Sequence, residues 1–340
     1  MLVIASEPCE RGDPVIGLLR RLCLLAMTLW VSGCAPLEQP FISDTKQSAR
    51  IERGLFVASD GALLPLRSWL PKGKPKAVVI ALHGFNDYSK AFETVGPYFA
   101  RRGVAFYAYD QRGFGASIQP GIWAGRENLM RDVAELSQLL RTKHPHSAQV
   151  IMGESMGAAV ALSAVANERV APDKLVLSAP AIWGGSNMNL LYRTTLAISA
   201  HVAPGWQLTG RDLKIQATDN IPLLRQMSLD PLIIKSTRLD AVYGLVQLMG
   251  DAFEALPQVQ SELLLLYGGN DQVIPPSSIE VALARFPKPL TFAYYPEGYH
   301  MLLRDLAGER VMADIAHWVS RSGHNLPSGH GKEVDPKNAR

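Results

Sequence analysis

The 340-residue sequence predicts an α/β fold, a mostly parallel central sheet flanked by helices, with a helical cap inserted between two of its strands. Three observations carry this expectation. Short apolar runs alternate with amphipathic stretches across residues 52–320, the rhythm of repeated βα units. The runs are apolar at successive positions, as in AVVIAL, so both faces of each strand are destined for burial. One interval, 181–260, is far longer than the single crossover helix that joins two parallel strands.

Composition narrows the field before any motif is considered. Hydrophobic residues make up 47% and charged residues 19%, which excludes a disordered chain, a collagen-like fibre and a disulfide-stapled miniprotein. The formal net charge of +3 carries no basic block, so no nucleic-acid surface is expected. The three cysteines, Cys9, Cys23 and Cys34, all precede the βα pattern. The main body therefore holds neither a disulfide framework nor a four-cysteine metal site, and no metal or organic cofactor is implied.

In chain order, Arg20-Arg21 and the short apolar run LCLLAMTLW lead to Val31-Ser32-Gly33-Cys34. The apolar stretch falls short of the ~20 residues that span a bilayer. A charged n-region, a short h-region and small residues before a cysteine resemble a bacterial lipoprotein signal peptide. That resemblance implies a signal peptide over 1–33, a lipidated Cys34, and a location in the bacterial cell envelope. With Ala35 following, it implies the outer membrane, the periplasmic face in preference to the outer one. The stretch before Arg20 is long and acidic for an n-region, which fits a start codon further downstream. Residues 34–51 then read as the lipidated cysteine and a polar tether reaching roughly 20–25 Å.

The body opens with two strand-like runs around the turn signal Asp60-Gly61. Strands follow at AVVIAL (77–82), VAFYAY (104–109), QVIM (149–152), LVL (175–177), LLLLY (263–267) and LTFAYY (290–295). Helical patterns intervene at 91–101 and where Leu129, Val133, Leu136 and Leu140 form one apolar stripe, and a closing helix carries Val311, Ile315 and Trp318. The core is thus 52–180 and 261–320. The cap, 181–260, reads as helical and apolar on several faces, suiting a lid over an apolar pocket. Residues 321–340 are polar with scattered Gly and Pro and read as a disordered tail.

The chemistry centres on Gly153-Glu154-Ser155-Met156-Gly157. A G-x-S-x-G match alone is weak, but this one directly follows a strand and opens a small-residue helix. A strand-to-helix turn of that kind strains the serine and exposes its oxygen, while Gly153 and Gly157 permit close backbone approach. A serine hydroxyl needs a base, itself oriented by an acid. Asp271 lies just past LLLLY and His300 in the next post-strand loop, in the order that accompanies this turn. The other histidines and acids fall in the cap, the tail or unsuitable positions: Asp240 and Asp251 lie in the cap, and Glu297 follows no strand end. An oxyanion formed by attack would be met by the backbone N–H of Met156 and, from His83-Gly84-Phe85, that of Phe85. His83 itself reads as a loop brace. Asp110-Gln111-Arg112-Gly113-Phe114-Gly115 reads as a tight turn and lacks a phosphate-binding pattern.

Taken together, HGFND, DQRGFGAS, GESMG, GGNDQVIP and GYHMLLRD resemble the α/β-hydrolase fold. They look like its monoacylglycerol lipase and lysophospholipase branch, the serine-aminopeptidase-like hydrolases, over about residues 52–320. The resemblance implies a serine ester hydrolase with a cap that shapes an acyl-chain channel, acting on a single-acyl-chain lipid such as monoacylglycerol or lysophospholipid. Other serine hydrolases on the same residues (arylesterase, thioesterase or aminopeptidase) stay open, as does a non-catalytic surface lipoprotein.

Overall fold

The computed structural model describes residues 35–40, 47–183, 188–210 and 215–338. Cys34 and the expected signal peptide lie outside the described residues. No helix among those described is long and apolar enough to cross a membrane.

An antiparallel meander starts the sheet: β1 (Arg50–Glu52), β2 (Leu55–Val57) and β3 (Leu63–Trp69). The Asp60-Gly61 turn joins β2 to β3, with Gly61 at φ +86°. β4 (Ala77–Leu82), β5 (Val104–Tyr109), β6 (Ala148–Glu154), β7 (Lys174–Ser178), β10 (Glu262–Gly268) and β11 (Leu290–Tyr295) pair in parallel. The spatial order is β1-β2-β3-β5-β4-β6-β7-β10-β11, with one further strand at the end. The mostly parallel sheet flanked by helices agrees with the sequence expectation.

Alternate side chains of each strand feed two cores. Val78, Ile80 and Leu82 of β4 face one, with Ile151, Leu175 and Leu265. Val79 and Ala81 face the other, with Met152, Val176 and Leu264. Helices α1 (Val95–Ala100) and α8 (Gly308–Arg321) cover the second core, supplying Phe99, Ile315 and Trp318. The first is covered by α2 (Arg126–Lys143) and α3 (Met156–Ala166). Helix α3 is apolar all round, and its small side chains let it pack closely on β4 and β6. Each fully buried Leu, Ile or Phe in these layers contributes about 1.5–3 kcal/mol.

Between β7 and β10 lie α4 (Leu190–Val202), α5 (Ile221–Leu229), α6 (Leu239–Glu254) and the two-stranded ribbon β8 (Gln207–Thr209) with β9 (Ser236–Arg238). Helix α6 departs from the cap expectation. Its Leu248, Met249, Ala252 and Phe253 enter the first core, and it packs on α3. It is the crossover helix that the parallel pairing of β7 and β10 requires, so the cap proper is what precedes it.

The tail expectation needs correction. After α7 (Pro276–Leu283), β11 and α8, residues 331–334 form β12, antiparallel to β11 at the sheet edge. Asp314 of α8 accepts from Ser328 N (2.9 Å) and the Tyr295 hydroxyl (2.8 Å), tying the tail down. Polar composition here marks an edge strand, whose Lys332 and Glu333 face solvent while its backbone covers the open edge of β11.

Residues 37–39 also depart from a free tether. Gln39 is buried; its N–H donates to Trp123 O (2.9 Å), and its amide nitrogen donates to the carbonyls of Ile118 (3.1 Å) and Ile122 (3.0 Å). One glutamine side chain thus donates to carbonyls on both sides of the 118–122 loop and pins it to the start of the described chain.

Candidate active site

Ser155 sits between β6 and α3 with φ +53° and ψ −116°, a strained conformation for any residue with a Cβ. The strain is held on both sides. Ser155 N donates to Ser178 O on neighbouring β7 (3.0 Å), and Ser155 O accepts from the N–H groups of Ala158 and Ala181. The flanking glycines are required by space. A Cβ on Gly157 would lie 2.1 Å from Leu82 O, and one on Gly153 would lie 2.4 Å from the Ala158 backbone. Met156 is the first residue of α3, so its N–H has no intrahelical acceptor and points with the helix dipole.

The loop after β4 lies beside this turn, because β4 and β6 are neighbours in the sheet. A Cβ added to Gly84 would lie 3.5 Å from the Ser155 Cβ, an ordinary contact distance, so the loop runs directly against the serine. His83 is fully buried; its Nε2 accepts from Gln111 N (2.9 Å), which leaves Nδ1–H to donate to Gly84 O (2.8 Å). Burial pulls its pKa down, so it is a neutral brace and not a base. Phe85 packs edge-on against Phe114 at 5.5 Å and tilts toward Trp123. Asn86, at φ +65°, donates to the Thr237 hydroxyl (2.7 Å) and accepts from Ile234 N (3.0 Å), both from the segment leading into α6.

Asp271 and His300 meet across the ends of β10 and β11. His300 Nδ1 donates to Asp271 Oδ2 at 2.8 Å, with both side chains buried. The other Asp271 oxygen accepts from Val273 N (2.7 Å) and Ile274 N (3.0 Å), which fixes the carboxylate plane. A histidine held through Nδ1 presents Nε2 as a proton acceptor. Ser155, His300 and Phe85 line one cavity of about 490 Å³, together with the apolar Trp183, Met188, Leu245 and Met249.

Sequence reasoning assigned no role to Arg304, although it lies in the GYHMLLRD stretch. Its guanidinium donates to Asp87 Oδ2 (2.6 Å) in the loop after β4 and to Glu154 Oε1 (2.7 Å) beside the serine. Burial alone would pull its pKa down, but the two carboxylates outweigh burial and hold the charge more firmly than usual. Its carbonyl accepts from Asn220 in the cap. Asp305 next to it accepts from the Thr218 hydroxyl (2.6 Å) and from Tyr299 N (2.8 Å), which braces the His300 loop from the cap side; burial raises its pKa. Pairings that span such separations leave no local pattern to read.

The DQRGFGAS turn proves to be scaffolding. Arg112 is buried and doubly bonded to Asp60 and Asp132 at 2.6–2.9 Å, and Asp110 accepts from Ser89 and Ala116. Burial drives the Asp132 carboxyl up to about 6 despite its arginine. For Asp60, burial pushes upward but Arg112 prevails, and the net shift is downward. No group of His, Cys, Asp and Glu among the described residues could hold a metal ion.

Comparison with known proteins identifies the family and the fold. A family model described as serine aminopeptidase, S33, matches residues 73–307. A monoacylglycerol lipase of Mycolicibacterium smegmatis is 24% identical over 276 residues, covering 78% of this chain and 95% of its own length. An uncharacterized abhydrolase domain-containing protein of Dictyostelium discoideum is 24% identical over 274 residues, but this chain covers 29% of it. Among solved structures, the monoacylglycerol lipase of Paleococcus ferrophilus superposes with a TM-score of 0.64 at 19% identity, covering 76% of this chain and 99% of its own. A soluble variant of the Saccharomyces cerevisiae monoglyceride lipase, in complex with a substrate analog, gives 0.67 at 17%, covering 85% and 98%. At these identities the structural likeness speaks for the fold, which is that of the α/β-hydrolases.

Proposed function

The chain belongs to the serine aminopeptidase S33 family and is a serine ester hydrolase, and from that premise we propose that it cleaves single-acyl-chain lipid esters through Ser155, His300 and Asp271. The observation that carries this reading is the strained serine sharing an apolar cavity with a histidine whose far nitrogen is held by a buried carboxylate.

In the proposed reaction, His300 Nε2 takes the Ser155 proton as the serine oxygen adds to the acyl carbonyl. The oxyanion is met by the N–H groups of Met156 and Phe85, and Asp271 stabilises the imidazolium that forms. Collapse expels the alcohol, which receives the proton from His300. Water, deprotonated by the same histidine, then adds to the acyl-enzyme and releases the fatty acid. The names of the mycobacterial and archaeal relatives support a monoacylglycerol substrate. So does the cavity wall of Trp183, Met188, Leu245 and Met249, which suits an alkyl chain, while the two carboxylates on the same wall, Asp87 and Glu154, are already paired with Arg304. Next to it, a cavity of about 350 Å³ with Lys90, Glu93 and Asp230 on its wall gives a polar headgroup room. Lipidation of Cys34 would keep the enzyme at the envelope membrane where such lipids reside.

The test is fatty-acid release from monoacylglycerol, lysophospholipid and a short aryl ester in parallel, with Ser155→Ala as control. Ser155-dependent release from a long-chain lipid supports the reading, and turnover of the aryl ester alone removes the lipid assignment. If none is turned over and a fluorophosphonate probe fails to label Ser155, the catalytic reading falls.

A further inference from the structure

Leu37, Glu38 and Gln39 clamp the start of the described chain to the seam between the 118–128 segment and the start of α6. Gln39 is buried among the carbonyls of the 118–122 loop, and Asn128 donates to its carbonyl. Glu38 bridges to Trp123, and Leu37 N donates to Asp240 Oδ2 at 3.1 Å. Asp240 begins α6, and there the backbone turns back on α4: Asp240 N donates to Pro204 O (3.1 Å) and Leu239 N to Trp206 O (2.8 Å). The clamp therefore ends beside the C-terminal end of α4.

Helix α4 rests on α6, and of its residues only Ala200 is buried. Leu191, Ile198 and Val202 fall on one stripe at 69%, 60% and 69% exposure, and Trp206 follows at 66%. Only three residue steps separate Cys34 from Leu37, a reach of about 10 Å at full extension.

We propose that the 37–39 clamp seats an acylated Cys34 beside this stripe, so that the enzyme lies on a lipid bilayer with Leu191, Ile198, Val202 and Trp206 in the headgroup–acyl boundary. The inference rests on lipidation of Cys34. An amphipathic helix lies in an interface when its apolar face has nowhere else to be buried, and the anchor fixes which face of the protein meets the lipid. Met188, which lines the catalytic cavity, immediately precedes Asn189, the N-cap of α4. The anchor thus holds one end of α4 at the bilayer while the cavity lies near the other, and a membrane-resident substrate has a short path to Ser155.

The experiment uses full-length protein, processed in a Gram-negative host and reconstituted into phosphatidylethanolamine/phosphatidylglycerol vesicles with or without brominated acyl chains. Brominated chains should quench tryptophan fluorescence, and Trp206→Phe should remove at least half of that quenching. A twelve-residue Gly-Ser insertion between Ala35 and Pro36, which leaves every clamp contact in place, should cut the Trp206 quenching at least twofold. Gln39→Ala should do the same, with Ser155 labelling by fluorophosphonate as the check on folding. The mass of the N-terminal peptide is read first: an unacylated Cys34 removes the premise and the inference with it, while hydrolysis of a soluble ester is untouched. An acylated Cys34 with unquenched Trp206, or quenching indifferent to the insertion, overturns the clamp and leaves both the anchor and the proposed reaction standing.

Discussion

Arg304 donates to Glu154, the residue immediately before Ser155, at 2.7 Å, and with its other terminal nitrogen to Asp87 at 2.6 Å. One cation thus joins the serine turn, the loop carrying Phe85 and the His300 loop on which it resides. Removing it leaves two buried carboxylates without compensation. Arg304→Met is expected to destabilise the fold by about 3–5 kcal/mol. Glu154→Gln should cost less, because Arg304 keeps Asp87. Chemical denaturation of both variants checks the ranking, and equal losses would mean that the two pairs do not share one cation.

Ser155 separates chemistry from strain. Both Ser155→Ala and Ser155→Gly should abolish hydrolysis. Glycine adopts φ +53° without the Cβ penalty, so the glycine variant should be more stable than the alanine variant by about 1 kcal/mol. Thermal melting of the pair reads the difference directly.

At Asp271 the two carboxylate oxygens do different work. Asp271→Asn keeps an acceptor for Val273 N and Ile274 N but loses the acceptor for His300, so kcat should fall about 10⁴-fold with little change in stability. Asp271→Ala strands both backbone N–H groups as well and should cost a further 1–3 kcal/mol, as an approximate range. Paired kinetic and unfolding measurements distinguish the two.

Gly157→Ala drives a methyl group to within 2.1 Å of Leu82 O, which is backbone and has no flexible end to swing away. The strand end that carries the Phe85 loop must shift. The expected result is a fall in kcat of about 10²–10³, the effect of losing one oxyanion donor, with a smaller change in KM. A change confined to KM would place the damage elsewhere.

The Arg112 cluster sets a pH dependence of stability. Burial holds the Asp132 carboxyl at about 6, above its ordinary 3.8. Between those values the folded chain keeps a proton that the unfolded chain has released, so this group's contribution is fully present below pH 3.8 and is lost as pH rises to about 6. Asp132→Asn cannot titrate. The parent should therefore lose on the order of 2 kcal/mol relative to the variant across that window. Denaturation midpoints of both proteins from pH 4 to 7 measure it, and a constant gap would contradict the raised pKa.

How far the sequence foretold the structure depended on the range of the interaction. Ser155, Asp271 and His300 could be proposed together because each follows a strand end, and strand ends are marked by apolar runs and glycines; the structure brings Asp271 and His300 to 2.8 Å and lines one cavity with Ser155 and His300. The parallel sheet was legible for the same reason. Arg304 was not, since its partners lie far away in the chain and an arginine in a loop carries no sign of being buried. Gln39 looks like tether in the sequence because polar residues look solvent-bound until a ring of carbonyls is found around them. Residues 331–334 look disordered because an edge strand shares the polar composition of a loop. Helix α6 looks like part of the cap because apolar stripes do not say which surface they will meet.

The two bonds of Asn86, one to Thr237 and one to Ile234, hold the residue next to Phe85 against the segment that enters α6. The cap and the proposed oxyanion donor therefore share a hinge pin. A rigid swing of that segment to admit substrate would drag the Phe85 N–H out of register with Met156 and disarm the enzyme while it was open. Entry is better served by motion confined to α4 and its flanks, with the pin left in place, so the site could stay armed as each new substrate enters.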